Sequence, residues 1–138
     1  MRGDAMMRIE FFVTALCLWA GLALYSRSAS AAGKANVIEE LFSAPLAEDE
    51  AAFVYLGYSA VLVRTAKAAV IVDPADLLSG EDIRHFSGKA VDAVLYTHGH
   101  GDHWQPDVAR ALFQATGAPV CGEDSLIRPL KSSLPADK

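Results

Sequence analysis

The sequence predicts an α/β layered domain, and three observations carry that prediction. Short runs rich in valine, leucine and isoleucine fall at 52–57, 59–65 and 68–72. From residue 80 to 130, helix-like and strand-like segments then alternate, the arrangement that builds a layered sheet with helices packed on it. A polar loop dense in histidine interrupts that series directly after an apolar run. Of the 138 residues, 52% are apolar and 21% charged, a balance that supports a packed core rather than a disordered chain. With 12 Lys and Arg against 17 Asp and Glu the net charge is -5, and no basic stripe runs along any segment, so a nucleic-acid partner is not expected.

The N-terminal segment, 1–31, has the pattern of a secretory signal peptide. Arg2 and Arg8 precede a nearly unbroken apolar run at 11–25, and Ala29-Ser30-Ala31 supplies small residues for cleavage. The run is shorter than the roughly 20 residues of a membrane span. The expectation is therefore export to the periplasm or the medium, with an uncleaved membrane anchor as the alternative. Cys17 lacks the small residue before it that lipidation needs. Cys121 would be the single cysteine of the mature chain, following an apolar strand, and is expected in the core.

Residues 32–51 are alanine-rich and acidic, and are expected to act mostly as a linker, with at most a turn or two of helix over 37–42. The runs at 52–57, 59–65 and 68–72 predict a three-stranded meander, turning at Gly57-Tyr58 and at Lys67. Arg64 and Lys67 read as solvated charges at strand ends. Asp73-Pro74 closes the meander, because proline has no N–H for the ladder. A helix is expected over 80–86, with Glu81 and Asp82 in its first turn and His85 on the surface at its end. A strand over 91–97 delivers the histidine loop. The next helix, 106–115, starts at Pro106, places Val108, Leu112 and Ala115 on one face, and stops at Gly117. The tail, 131–138, is polar and expected to fray.

The loop reads Thr97-His98-Gly99-His100-Gly101-Asp102-His103, and holds three of the chain's four histidines with one carboxylate. Imidazole with carboxylate suits zinc and similar divalent ions. His98 and His100 are two apart at the end of an extended run, so both rings can point the same way. Asp102 and His103 follow and can face a second ion. Gly99 and Gly101 leave room for the loop to fold tightly.

This His-x-His-x-Asp-His pattern resembles the signature of the metallo-β-lactamase superfamily. The strand at 91–97 fits the one that delivers the motif, and Val70-Ile71-Val72-Asp73-Pro74 resembles the family's preceding strand with its terminal aspartate. Residues 56–63 resemble the opening hairpin of the branch that includes ascorbate-6-phosphate lactonase-like hydrolases, where histidine often stands in place of Tyr58. Residues 116–120 and 123–130 resemble that branch's next strand and helix. The likeness covers roughly 52–130 and implies the N-terminal half of an αββα sandwich.

The resemblance implies that His98 and His100 bind one ion and that Asp102 and His103 bind a second. It implies zinc as the ion, with other divalent metals possible, and Asp73 as an outer carboxylate orienting a ligand. Asp102 is also the candidate for proton transfer. The implied reaction is hydrolysis of an ester, lactone, amide or phosphodiester bond in a small-molecule substrate. Family sites are completed by ligands from the second half of the domain. No histidine follows His103, and Asp107, Asp124 and Asp137 lie in no matching pattern, so the domain reads as truncated. The alternative is a non-catalytic fragment or binding domain with a vestigial metal site. A half-sandwich exposes the sheet face its partner sheet would cover, so self-association or a complementing chain is expected.

Overall fold

In the computed structural model, the described residues are 24–28, 33–75 and 78–134. They form one mixed six-stranded sheet in the sequential order β1-β2-β3-β4-β5-β6. The strands are β1 (Leu24–Ser28), β2 (Ala51–Gly57), β3 (Ala60–Thr65), β4 (Ala69–Val72), β5 (Ala93–Leu95) and β6 (Val120–Cys121). The antiparallel meander expected from the sequence is β2-β3-β4, paired through Val54↔Leu62 and Leu62↔Ile71. β5 and β6 then add in parallel, each after a helix, as parallel strands require.

Alternation along the strands explains the layering. Ala52, Val54, Leu56, Leu62, Ile71, Val94 and Val120 face one side and are all buried. That side receives Val37, Ile38 and Leu41 of α1 (Lys34–Ser43), Ile83 of α2 (Gly80–Arg84) and Val108, Ala109 and Leu112 of α3 (Pro106–Thr116). Leu126 of α4 (Asp124–Ile127) and Leu130 of a following 3-10 turn complete the same cluster. One sheet with helices on one side is the α/β half-sandwich the sequence predicts.

Local signals set the helix ends. Ser79 and Asp82 form a reciprocal capping box at the start of α2. Pro106 occupies the first turn of α3, and Gly117 ends it in a left-handed conformation with φ 71°. His85 closes α2 at the surface, 3.2 Å from Glu39 Oε1, as expected of a helix-end histidine.

Several expectations need correction. The stretch 32–51, read as mostly linker, carries the ten-residue helix α1, whose Val37, Ile38 and Leu41 enter the core. Arg64, read as a solvated charge, is half-buried, and its Nη1 donates to the carbonyls of Leu41 and Ala44 at 2.7 Å each. Those carbonyls end α1 without helical partners, so the guanidinium supplies the missing donors. Lys67 is solvated and faces Glu48, as expected. Cys121, expected in the core, is exposed, because Val120 takes the inward position and alternation turns the thiol to the other face. In the tail, 131–134 is docked rather than frayed: Leu134 packs on the core, and Ser133 Oγ donates to the Leu130 carbonyl.

The proposed leader, 1–31, lies mostly outside the described residues. Its segment Leu24–Ser28 is described, and pairs in parallel with β2 from Leu24↔Ala51 to Ser28↔Tyr55. Among the described residues, no helix is long and apolar enough to cross a membrane.

Candidate metal centre

The histidine loop leaves the C-terminal end of β5, next to the C-terminal end of the parallel strand β4. That edge is where open α/β sheets present their functional loops. β4 contributes Asp73, the one buried charged residue among those described, at 3% exposure. Its backbone is left-handed, with φ 46°, a conformation aspartate tolerates better than most residues. The Asp73 N–H donates to the Leu95 carbonyl at 2.8 Å, so the two strand ends remain joined past the last ladder pair.

The Asp73 carboxylate organises the loop. Oδ1 accepts the Thr97 N–H at 2.7 Å, and Oδ2 accepts the Thr97 hydroxyl at 2.7 Å. His103 Nδ1 lies 2.9 Å from the same Oδ2. Burial by itself would raise the pKa of this carboxyl, but the hydrogen bonds from Thr97 and His103 outweigh it and hold the pKa below the usual carboxylate value. An ionised Asp73 accepts a hydrogen bond from His103 Nδ1–H, which leaves His103 Nε2 with the free lone pair.

Thr97 extends the same control to His98. The Thr97 hydroxyl donates its hydrogen bond to Asp73, so its oxygen is free to accept from His98 Nδ1, 3.0 Å away. That fixes the His98 tautomer with Nε2 unprotonated. His98 Nε2 faces His100 Nδ1 at 3.1 Å. Two nitrogens bound tetrahedrally at about 2.0–2.1 Å from one ion stand about 3.3 Å apart, so this pair already has the separation of two ligands on one ion. His103 Nε2 stands 3.7 Å from Asp102 Oδ2, a second, wider pair. The His98 and His103 rings are in contact, with centroids 3.9 Å apart, so the two pairs are neighbours.

The structure thus brings together all five residues singled out in the sequence. Their donors form two pairs. Among the described residues no group of three or more His, Cys, Asp or Glu converges as a metal-holding cluster. A donor set of two imidazoles, or of imidazole and carboxylate, suits a divalent ion.

Packing around the loop is close on one side. A Cβ at Gly99 would lie 2.9 Å from Leu126 Cδ2, so a side chain there would have to push the tip of that leucine aside. Gly101 has no such constraint, since its nearest neighbour is Gln105 Nε2 at 4.0 Å. Trp104 follows the loop and meets Tyr96 edge to face at 4.5 Å. Burial raises the Tyr96 pKa, with the Asp73 charge adding to it, so this phenol stays protonated. Its hydroxyl points at the Pro74 carbonyl at 3.4 Å.

Two participants were not singled out from the sequence. Thr97 stands directly before His98, and its hydroxyl was a signal in plain view. Ser59 donates from Oγ to the Asp102 carbonyl at 2.9 Å across 43 positions of sequence, a contact no local pattern announces.

Comparison with known proteins finds likeness over part of the chain. Residues 55–105 match the family profile described as the metallo-beta-lactamase superfamily. A metal-dependent hydrolase of Rhizobium leguminosarum bv. trifolii is 41% identical over 76 residues, covering 52% of this chain and 31% of the relative. One from Sinorhizobium medicae is 43% identical over 70 residues, covering 48% of this chain and 29% of the relative. One from Thermus thermophilus is 40% identical over 57 residues, covering 40% of this chain and 25% of the relative. The chain therefore spans about a third or less of the length of these curated relatives. The matched stretch contains Asp73, Thr97 and the whole histidine loop, so residues 55–105 are similar to the metallo-β-lactamase superfamily where the candidate metal donors lie.

Proposed function

We propose that this chain carries the metal-binding segment of a metal-dependent hydrolase acting on a small molecule. His98 Nε2 and His100 Nδ1 would hold one divalent ion, and Asp102 and His103 Nε2 a second. Zinc is the ion these donors suit best. The observation that carries the reading is the Asp73 network: one buried carboxylate sets His103 directly and His98 through Thr97, so both keep Nε2 unprotonated. Outer carboxylates orient metal-binding histidines in this way.

Bound ions would supply an activated water and polarise the oxygen of the bond under attack. The chain's own contribution is orientation. Asp73 and Thr97 hold two imidazoles in the ligating tautomer before any metal arrives. Asp102 has a side chain 58% exposed and can exchange a proton with solvent or a leaving group. The reaction would be hydrolysis of an ester, lactone, amide or phosphodiester. The relatives' description as metal-dependent hydrolases supports that class.

A second reading is a binding domain with a vestigial site, favoured by the absence of any three-residue donor cluster among the described residues. Two donors per ion leave open positions and modest affinity. A lactone and phosphodiester screen of the zinc-loaded chain separates the two. The hydrolase reading expects turnover that His98→Ala and His103→Ala each abolish. Turnover unchanged in both variants, or none on any substrate class, supports the second.

Residues 1–31 act in this proposal as an export leader, with cleavage after Ala31. Intact-mass measurement of the exported protein tests it: a first residue other than Ala32 would count against cleavage there.

A further inference from the structure

The hairpin between β2 and β3 reaches the histidine loop, and its tip is built in an unusual way. Gly57 pairs with Ala60, so Tyr58 and Ser59 form a two-residue turn. Tyr58 takes its first central position with φ 45°, a left-handed conformation that glycine or asparagine adopts readily and a bulky aromatic does not. Such a conformation persists only where surrounding contacts enforce it. Here the Tyr55 hydroxyl donates to the Tyr58 carbonyl at 2.6 Å, and the next residue, Ser59, donates from Oγ to the Asp102 carbonyl at 2.9 Å.

We infer that this tip is a clamp on the histidine loop, with Ser59 as the positioning residue for the Asp102–His103 pair. The inference rests on the metal-site reading above. The loop is tied at His103 by Asp73 and at Gly101 by Gln105 Nε2. Asp102 lies between those ties with an exposed side chain, and its carboxylate stands 3.7 Å from His103 Nε2. Ser59 fixes its main chain from a separate strand pair, which sets where the carboxylate starts from. His98 and His100 are set by Thr97 and by each other, upstream of this tie. The clamp therefore acts directly on the Asp102–His103 half and reaches the other half only through the turn in which the His103 and Trp104 N–H groups donate to the His100 carbonyl.

The test is titration of the full-length, metal-free chain with Co2+ and Zn2+, following the cobalt absorption bands and a competing chromophoric chelator. The variants are Ser59→Ala, Ser59→Thr and Tyr55→Phe, with His98→Ala and His103→Ala as references for the two uptake steps. Loss of the Ser59 donor is expected to weaken the His103-dependent step about fivefold, the effect of one hydrogen bond, and to move the His98-dependent step by less. Ser59→Thr keeps the hydroxyl and should stay within about twofold of wild type. Tyr55→Phe should move the same step in the same direction. Equal weakening of both steps, or no change in either, would overturn the clamp while leaving the metal reading intact. A wild-type chain whose uptake is indifferent to both histidine references overturns the metal reading, and the clamp with it.

Discussion

Asp73 is the residue on which the site turns. Its carboxylate accepts three hydrogen bonds while almost wholly buried, and its pKa is held below the ordinary value despite that burial. A group whose folded pKa is depressed contributes stability above its unfolded pKa of about 3.9, and that contribution is lost as pH falls through the folded value. Metal-free wild type should therefore lose stability on acidification below about pH 4 in part through this group. Asp73→Asn turns an acceptor into an N–H donor facing other donors. It should cost about 2 kcal/mol near neutrality and flatten the acid limb, measured as urea midpoints at both pH values. An unchanged midpoint at neutral pH would contradict the network. The ligand candidates and Asp73 were legible in the sequence because they sit in one short motif and at one strand end. Ser59 was not, because its contact with Asp102 spans 43 positions and depends on how the hairpin folds back.

At the scale of elements, the meander and α3 were legible because alternation and helical spacing are local. The helix α1 was hidden. Its buried residues, Val37, Ile38 and Leu41, are few, and they sit among alanines and acids that give little amphipathic contrast. What secures it is tertiary: Arg64 of β3 satisfies two carbonyls at its C-terminal end. Arg64→Ala should cost about 1–2 kcal/mol by urea unfolding, and amide exchange should accelerate first in α1. Equal acceleration across β3 and β4 would show that Arg64 acts on the sheet instead. The misreading of Cys121 has a related cause. An apolar strand has two faces, and the sequence of a short strand does not say which of them the helices cover.

For the whole molecule, the described helices all pack into one cluster on one face of the sheet. The register places Phe53, Tyr55, Val61, Val63, Val70, Val72, Leu95 and Cys121 together on the other face, with Tyr55 and Leu95 exposed. Contiguous apolar faces of this kind drive association. The purified chain should sediment as a dimer or larger species, and a compact monomer would contradict this. Removal of 1–31 would also remove β1 and leave β2 as an unpaired edge, which adds to that tendency.

The role proposed for Asp73 and Thr97 is to prepare the His98–His103 loop to hold two divalent ions. Its most direct test is metal bound per chain at equilibrium dialysis against saturating Zn2+, on wild type and on Asp73→Ala. Wild type should bind close to two ions and the variant clearly fewer, because both His98 and His103 lose their orientation. No bound metal on wild type, or full binding by Asp73→Ala, would contradict it.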